Sequence, residues 1–176
     1  DIKDWNIIKQ LLSFIKTKKE LRLIIVPHEI NNIFINQIDS DLKEHNLIVK
    51  RFKDIKHEEN IDIILYNKVG DLLDLYKYGN LAYVGCGFSA GVHNVLEPAL
   101  QGCFVSYGPN ISLLDEAIKL NQAKLSKVIY DSSDFLNFLK TYDDLKFLNT
   151  NKNLVYNIFK KNNEDLKKII DIVYEK

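Results

Sequence analysis

The chain has 176 residues, 46% of them hydrophobic, which suffices for one domain with a full core spanning 1–176. Basic and acidic residues stand at 24 each, so the basic excess typical of a nucleic-acid binder is absent and no nucleic-acid partner is expected. No apolar run approaches the roughly 20 residues of a membrane-spanning helix, and no signal-peptide pattern opens the chain, so a soluble piece is expected. Cys86 and Cys103 are too few for a disulfide framework and read as reduced cytosolic thiols. With Asp1 first and no methionine anywhere, the sequence reads as part of a longer protein.

In chain order, Trp5, Ile8, Leu11, Leu12 and Ile15 are spaced for one face of an opening helix. Residues 21–26 then form a nearly continuous apolar run, as expected of a strand buried on both faces. Residues 47–49, 61–65, 81–84, 104–107 and 127–130 repeat that pattern. Helical stretches are expected between them, near 30–45, 69–79, 93–101, 111–122 and 132–140, and a polar-faced helix closes the chain over 154–174. Strands alternating with helices predict an α/β fold, a Rossmann-like doubly wound parallel sheet of about six strands. The charged runs at 16–20 and 160–168 read as solvated helix faces.

Open parallel sheets bind ligands beyond the carboxyl ends of their strands, and the unusual residues of this sequence fall there. Pro27 and His28 follow the first strand, and residues 66–70, with Lys68, follow the third. Gly85, Cys86, Gly87, Gly91, His93 and Asn94 follow the fourth, and Gly108, Pro109 and Asn110 the fifth. Glycines concentrated just before a helix let backbone approach a ligand, and the helix start suits a phosphate. Asn94 and Glu97 have capping-box spacing. If instead the helix begins at Pro98, a favoured place for proline, Asn94 and Glu97 lie in the loop and can meet a ligand. Both readings of Glu97 stand at this stage.

Several chemistries are disfavoured. Gly85-x-Gly87-x-x-x-Gly91 differs from the dinucleotide fingerprint and lies in mid-chain, with no acidic residue ending the next strand; no nicotinamide cofactor is expected. There is no P-loop. His28, His45, His57 and His93 lack paired spacing and the cysteines lack a C-x-x-C arrangement, so no metal site is expected. His28 and His93 read as hydrogen-bond donors to an anionic ligand. Cys86, inside the glycine loop, reads as moderately reactive, and Cys103 as a small buried hydrophobe.

The stretch "YVGCGFSAGVHNVLEPALQGCFVSYGPN" resembles the donor-domain core of 3-deoxy-D-manno-octulosonic acid (Kdo) transferases. These typically read glycine-rich loop, then His-Asn-x-x-Glu-Pro-Ala, then a strand ending in Gly-Pro. "IIVPHEI", "NKVGDLLDLYKYGNLAYVG" and Glu116-Ala117 are similar to further pieces of that family. The resemblance covers roughly residues 20–120, and its most specific part is His93 to Ala99. Cys86 departs from it, standing where glycine is usual, and 122–126 lacks a glycine often found there.

The resemblance implies one half of a GT-B glycosyltransferase, the carboxyl-terminal domain that binds CMP-Kdo. It implies inverting transfer of Kdo to a lipid A precursor in lipopolysaccharide synthesis. The acceptor site, the acidic general base and the contact with the cytoplasmic face of the bacterial inner membrane would belong to an amino-terminal domain that this chain does not match. No catalytic residue is then expected here, and no cofactor. The donor would be met by Gly85, Gly87, Gly91, His93 and Asn94 around the leaving phosphate, by Glu97 on ribose hydroxyls, and by His28 and Lys68 on phosphate or carboxylate. Two alternatives remain: a GT-B domain for a UDP-sugar, or a non-enzymatic Rossmann-like binding module.

Overall fold

The computed structural model describes residues 1–27, 32–55, 61–66, 68 and 70–174, with the side chains of residue 32 and of 160–174 excepted. His28 therefore lies outside the described residues. The chain opens with α1 (Ile2–Ile8), a 3-10 turn (Lys9–Leu11) and α2 (Leu12–Thr17). There follow β1 (Leu23–Ile25), α3 (Asn32–Glu44), β2 (Val49–Arg51), a second 3-10 turn (Phe52–Asp54), β3 (Ile63–Leu65) and α4 (Leu72–Tyr76). The second half holds β4 (Leu81–Val84), α5 (Leu96–Gln101), β5 (Phe104–Tyr107), α6 (Asp115–Gln122), β6 (Ser126–Val128), α7 (Ser132–Leu139) and α8 (Leu145–Tyr174).

Each expected strand and helix has its counterpart. The opening helix is interrupted by the 3-10 turn, and the last helix starts about two and a half turns earlier than its apolar spacing suggested. All strand pairs are parallel, but they form two ladders, β1-β3-β2 and β4-β5-β6, instead of one run of six. Among the described residues no strand pairing joins the two. The first ladder is built of three-residue strands, which leaves few backbone groups to extend it.

Side-chain alternation explains the layering. Along β5, Phe104 points into one core, and Val105 and Tyr107 point into another. β4 does the same, with Leu81 and Tyr83 on the first side and Ala82 and Val84 on the second. A strand apolar on both faces must be covered twice, which makes this sheet the middle layer of a doubly wound fold. The first core packs Trp5, Leu12, Ile38, Leu42 and Ile63 with Phe135 and Phe138, so both ladders share it. The second collects Val95, just before α5, with Ala99 of α5, Leu120 of α6 and Val155 of α8. Polar ties lock the layers: Trp5 Nε1 donates to Asp41 on α3 at 2.6 Å, and the buried Tyr107 hydroxyl donates to Ala117 O at 2.8 Å. Among the described residues no helix is long and apolar enough to cross a membrane.

Candidate functional site

β4 and β5 are register neighbours, with Val84 opposite Tyr107, so their loops leave the sheet side by side. The loop after β4 folds back at once: Cys86 O accepts from the N–H groups of Ser89 (3.1 Å) and Gly91 (3.0 Å). The turn closes at Gly91, whose φ of +113° is costly for a residue with a Cβ. Asn110 then stitches the two loops together. Its N–H donates to Gly87 O (2.9 Å), its O accepts from Val92 N (3.2 Å), and its Nδ2 donates to Ser89 O (2.9 Å). This contact is possible because two glycines meet: a Cβ on Gly87 would lie 2.5 Å from Gly108 N.

Beside this double loop is an open depression of about 360 Å³, lined by Val92, His93, Asn94, Val95, Leu96, Leu114 and Glu116. Its polar groups are a histidine, a carboxamide and a carboxylate, over an apolar floor. Asn94 Oδ1 accepts from Leu96 N (3.1 Å) and Glu97 N (3.2 Å), which fixes the amide orientation and turns Nδ2 away from the helix. The helix starts at Leu96 and not at Pro98. Pro98 is tolerated as its third residue because those amides have no partner four residues back; the first such bond is Ala99 N to Val95 O.

These distances revise the anion-binding geometry expected from the sequence. The N–H groups of Leu96 and Glu97 are occupied by Asn94, those of Ser89 and Gly91 by Cys86 O, and that of Val92 by Asn110. A phosphate at the helix start would have to displace the Asn94 side chain. The groups that face the depression are instead the side chains of His93 and Asn94, both exposed.

Glu97 makes only half of a capping box. Its N–H donates to Asn94 Oδ1, and among the described residues no hydrogen bond holds its exposed carboxylate. It lies in the first turn of α5, outside the lining of the depression. Lys68 is tied to its own turn, with Nζ 2.6 Å from Asp71 Oδ2; that bond and the carboxylate's charge raise its pKa. Tyr66 donates to the same carboxylate.

Two contributors were not among the site residues expected from the sequence, although Glu116-Ala117 was one piece of the resemblance. Glu116 sits at the start of α6, after the Gly108–Asn110 corner, and only folding brings it beside His93. Asp4 of α1 lies under the glycine loop, 3% exposed, and accepts from Tyr83 Oη (2.7 Å) and Cys86 N (2.8 Å). A Cβ on Gly85 would stand 3.4 Å from its Oδ2. The carboxylates of Asp1 and Asp4 and Cys86 Sγ lie within 4.8 Å of one another, the one such grouping among the described residues. Both oxygens of Asp4 already accept hydrogen bonds, so a cation there would compete with the loop's own anchor.

No family model matches the chain. It is 35% identical over 104 residues to a 3-deoxy-D-manno-octulosonic acid transferase of Aquifex aeolicus, covering 58% of this chain and 28% of that protein. It is 28% identical over 166 residues to a bifunctional glycosyltransferase/methyltransferase of Fusobacterium nucleatum, covering 87% of this chain and 26% of the relative. The chain thus spans about a quarter of the length of the curated relatives it matches. Among solved structures it is similar to the C-terminal CMP-Kdo binding domain of WaaA from Acinetobacter baumannii, with a TM-score of 0.65 and 21% identity over 85% of this chain and 80% of that one. The fold is that of this domain type, and the resemblance to Kdo transferases read from the 83–110 stretch agrees with the sequence matches.

Proposed function

We propose that this chain is the donor-binding half of a GT-B Kdo transferase and that its 85–97 segment receives the nucleotide end of CMP-Kdo. The observation that carries the reading is the stitched pair of loops at the carboxyl ends of β4 and β5, with His93, Asn94 and Glu116 beside it. Similarity to a Kdo transferase over 104 residues, and to a CMP-Kdo binding domain in fold, supports the choice of donor.

The chemistry asked of such a site is modest. As the sugar leaves CMP, negative charge grows on the phosphate, and preorganised donors lower that barrier. His93 and the Asn94 amide nitrogen supply side-chain donors, the Asn94 amide being oriented by the Leu96 and Glu97 N–H groups. Glu97, whose carboxylate has no internal hydrogen bond among the described residues, accepts from ribose hydroxyls. Glu116 also lines the depression, where a carboxylate can accept from a base amino group or a sugar hydroxyl. Lys68 and His28 are the remaining donor contacts, with Lys68 exchanging Asp71 for the ligand's anion. The acceptor, a lipid A precursor, and the general base belong to the second Rossmann-like domain of the enzyme, which sits at the cytoplasmic face of the inner membrane. The transfer inverts the configuration at the anomeric carbon of Kdo as its bond to CMP breaks and the bond to the acceptor hydroxyl forms.

Titration calorimetry tests the donor. CMP is expected to bind weakly with a chelator present and more tightly than UDP or NAD. A preference for UDP would move the site to another sugar donor, and strict dependence on a divalent ion would contradict it.

A further inference from the structure

We propose that Asp4 is the positioning residue of the glycine loop, holding it in the shape that receives the donor. The loop is the one assigned above to CMP, and this inference rests on that reading for its ligand. Asp4 is separated from Cys86 by 82 positions and belongs to a different element, yet its carboxylate is spent on the loop. Oδ2 accepts the Cys86 N–H at 2.8 Å and the Asp1 main-chain nitrogen at 3.0 Å, while Oδ1 accepts the Tyr83 hydroxyl at 2.7 Å. Ser89 Oγ donates to Asp1, so α1 grips the turn at a second point.

A carboxylate at 3% exposure persists only where hydrogen bonds replace its water, so the three donors explain its presence. They also explain Cys86. Its φ of +68° is a left-handed conformation that residues with a Cβ rarely adopt. The peptide groups on both sides of it are pinned, the N–H by Asp4 and the C=O by Ser89 and Gly91. Asp4 therefore sets the residue from which the 86–91 turn is folded. That turn in turn presents Gly87 to Gly108 and Val92 to Asn110. Burial, with the Asp4 charge added, keeps the Tyr83 phenol protonated well above its ordinary range, so it remains a donor.

The test compares the parent chain with Asp4→Ala, Asp4→Asn, Tyr83→Phe and the buried core control Val155→Ala on α8. Three quantities are read: CMP affinity, exchange of the Cys86 amide proton, and thermal midpoint. Asp4→Ala is expected to weaken CMP by about tenfold or more and to expose the Cys86 amide, as loss of a charged hydrogen bond implies. Asp4→Asn keeps an acceptor for Cys86 and stays within about threefold of the parent. Val155→Ala lowers the midpoint and leaves CMP affinity unchanged. If Asp4→Ala does not fold, Tyr83→Phe decides: faster Cys86 exchange with weaker CMP binding supports the proposal, and neither overturns it. Equal CMP affinity for Asp4→Ala and Val155→Ala would also overturn it. A parent that binds no CMP would sink the donor reading alone, because protection of the Cys86 amide, lost in Asp4→Ala, reports on positioning without ligand.

Discussion

Gly87 and Gly108, at the ends of neighbouring parallel strands, lie backbone against backbone. A Cβ on Gly108 would stand 2.5 Å from Gly87 C, as close as the reciprocal approach to Gly108 N. Neither neighbour is a flexible side chain that can step aside. Gly87→Ala is therefore expected to force the two loops apart, at a stability cost of about 1–3 kcal/mol for overpacking. Because the displaced loop adjoins His93 and Asn94, CMP affinity should fall with it. Chemical denaturation and calorimetry on the same variant check both outcomes.

Glu97 gives a sharper separation of structure from function. Its carboxylate caps nothing, so Glu97→Ala should leave the thermal midpoint close to the parent's. Losing hydrogen bonds to ribose should cost about 1.5–3 kcal/mol of CMP binding, roughly ten- to hundredfold in affinity. CMP and deoxy-CMP should bind the variant more equally than they bind the parent. A lowered midpoint with unchanged affinity would return Glu97 to a structural role.

The two cysteines should differ in reactivity. Burial pushes the Cys103 thiol up to about 11, and its Sγ donates to Tyr76 O and Gly79 O, each at 3.3 Å. Cys86 is half-buried in the loop. At neutral pH an alkylating reagent should modify Cys86 first, CMP should slow that reaction, and Cys103 should react only on unfolding. Peptide mapping by mass spectrometry after timed alkylation reads this directly.

Asp62 ties the first ladder to α2. Burial works against its ionisation, but the Ile48 N–H (2.8 Å) and Lys16 (3.0 Å) outweigh it and hold its pKa below the usual carboxylate range. A depressed carboxylate pKa contributes stability above the unfolded value and loses it as pH falls through the folded value. The stability gap between the parent and Asp62→Asn should be open at pH 6–7 and close below about pH 4. Denaturation curves at several pH values test the sign.

Much of this architecture was legible in the chain because it rests on local pattern. The apolar runs at 81–84 and 104–107 coincide with β4 and β5, and the loops after them hold the depression. The start of α5 was legible only as two alternatives, since spacing alone cannot tell whether Pro98 opens the helix or follows its first residues. The occupied amides were not legible, because which N–H groups a loop spends on itself depends on its turn. Asp4 and Glu116 could not be found from spacing. Asp4 reaches the site through a hydrogen bond spanning 82 positions, and an acidic residue in a first helical turn is ordinary in sequence. The division into two ladders likewise depends on strand lengths finer than an apolar run reveals.

The central claim is that the 85–97 segment receives the nucleotide of a CMP-linked sugar. A titration of the isotopically labelled chain with CMP, followed by backbone amide NMR, tests it most directly. The account predicts that the largest saturable shifts fall between Gly85 and Glu97 and at Glu116, without added metal, and that UDP at the same concentration produces smaller ones. Shifts confined to other surfaces, or equal responses to CMP and UDP, would contradict it.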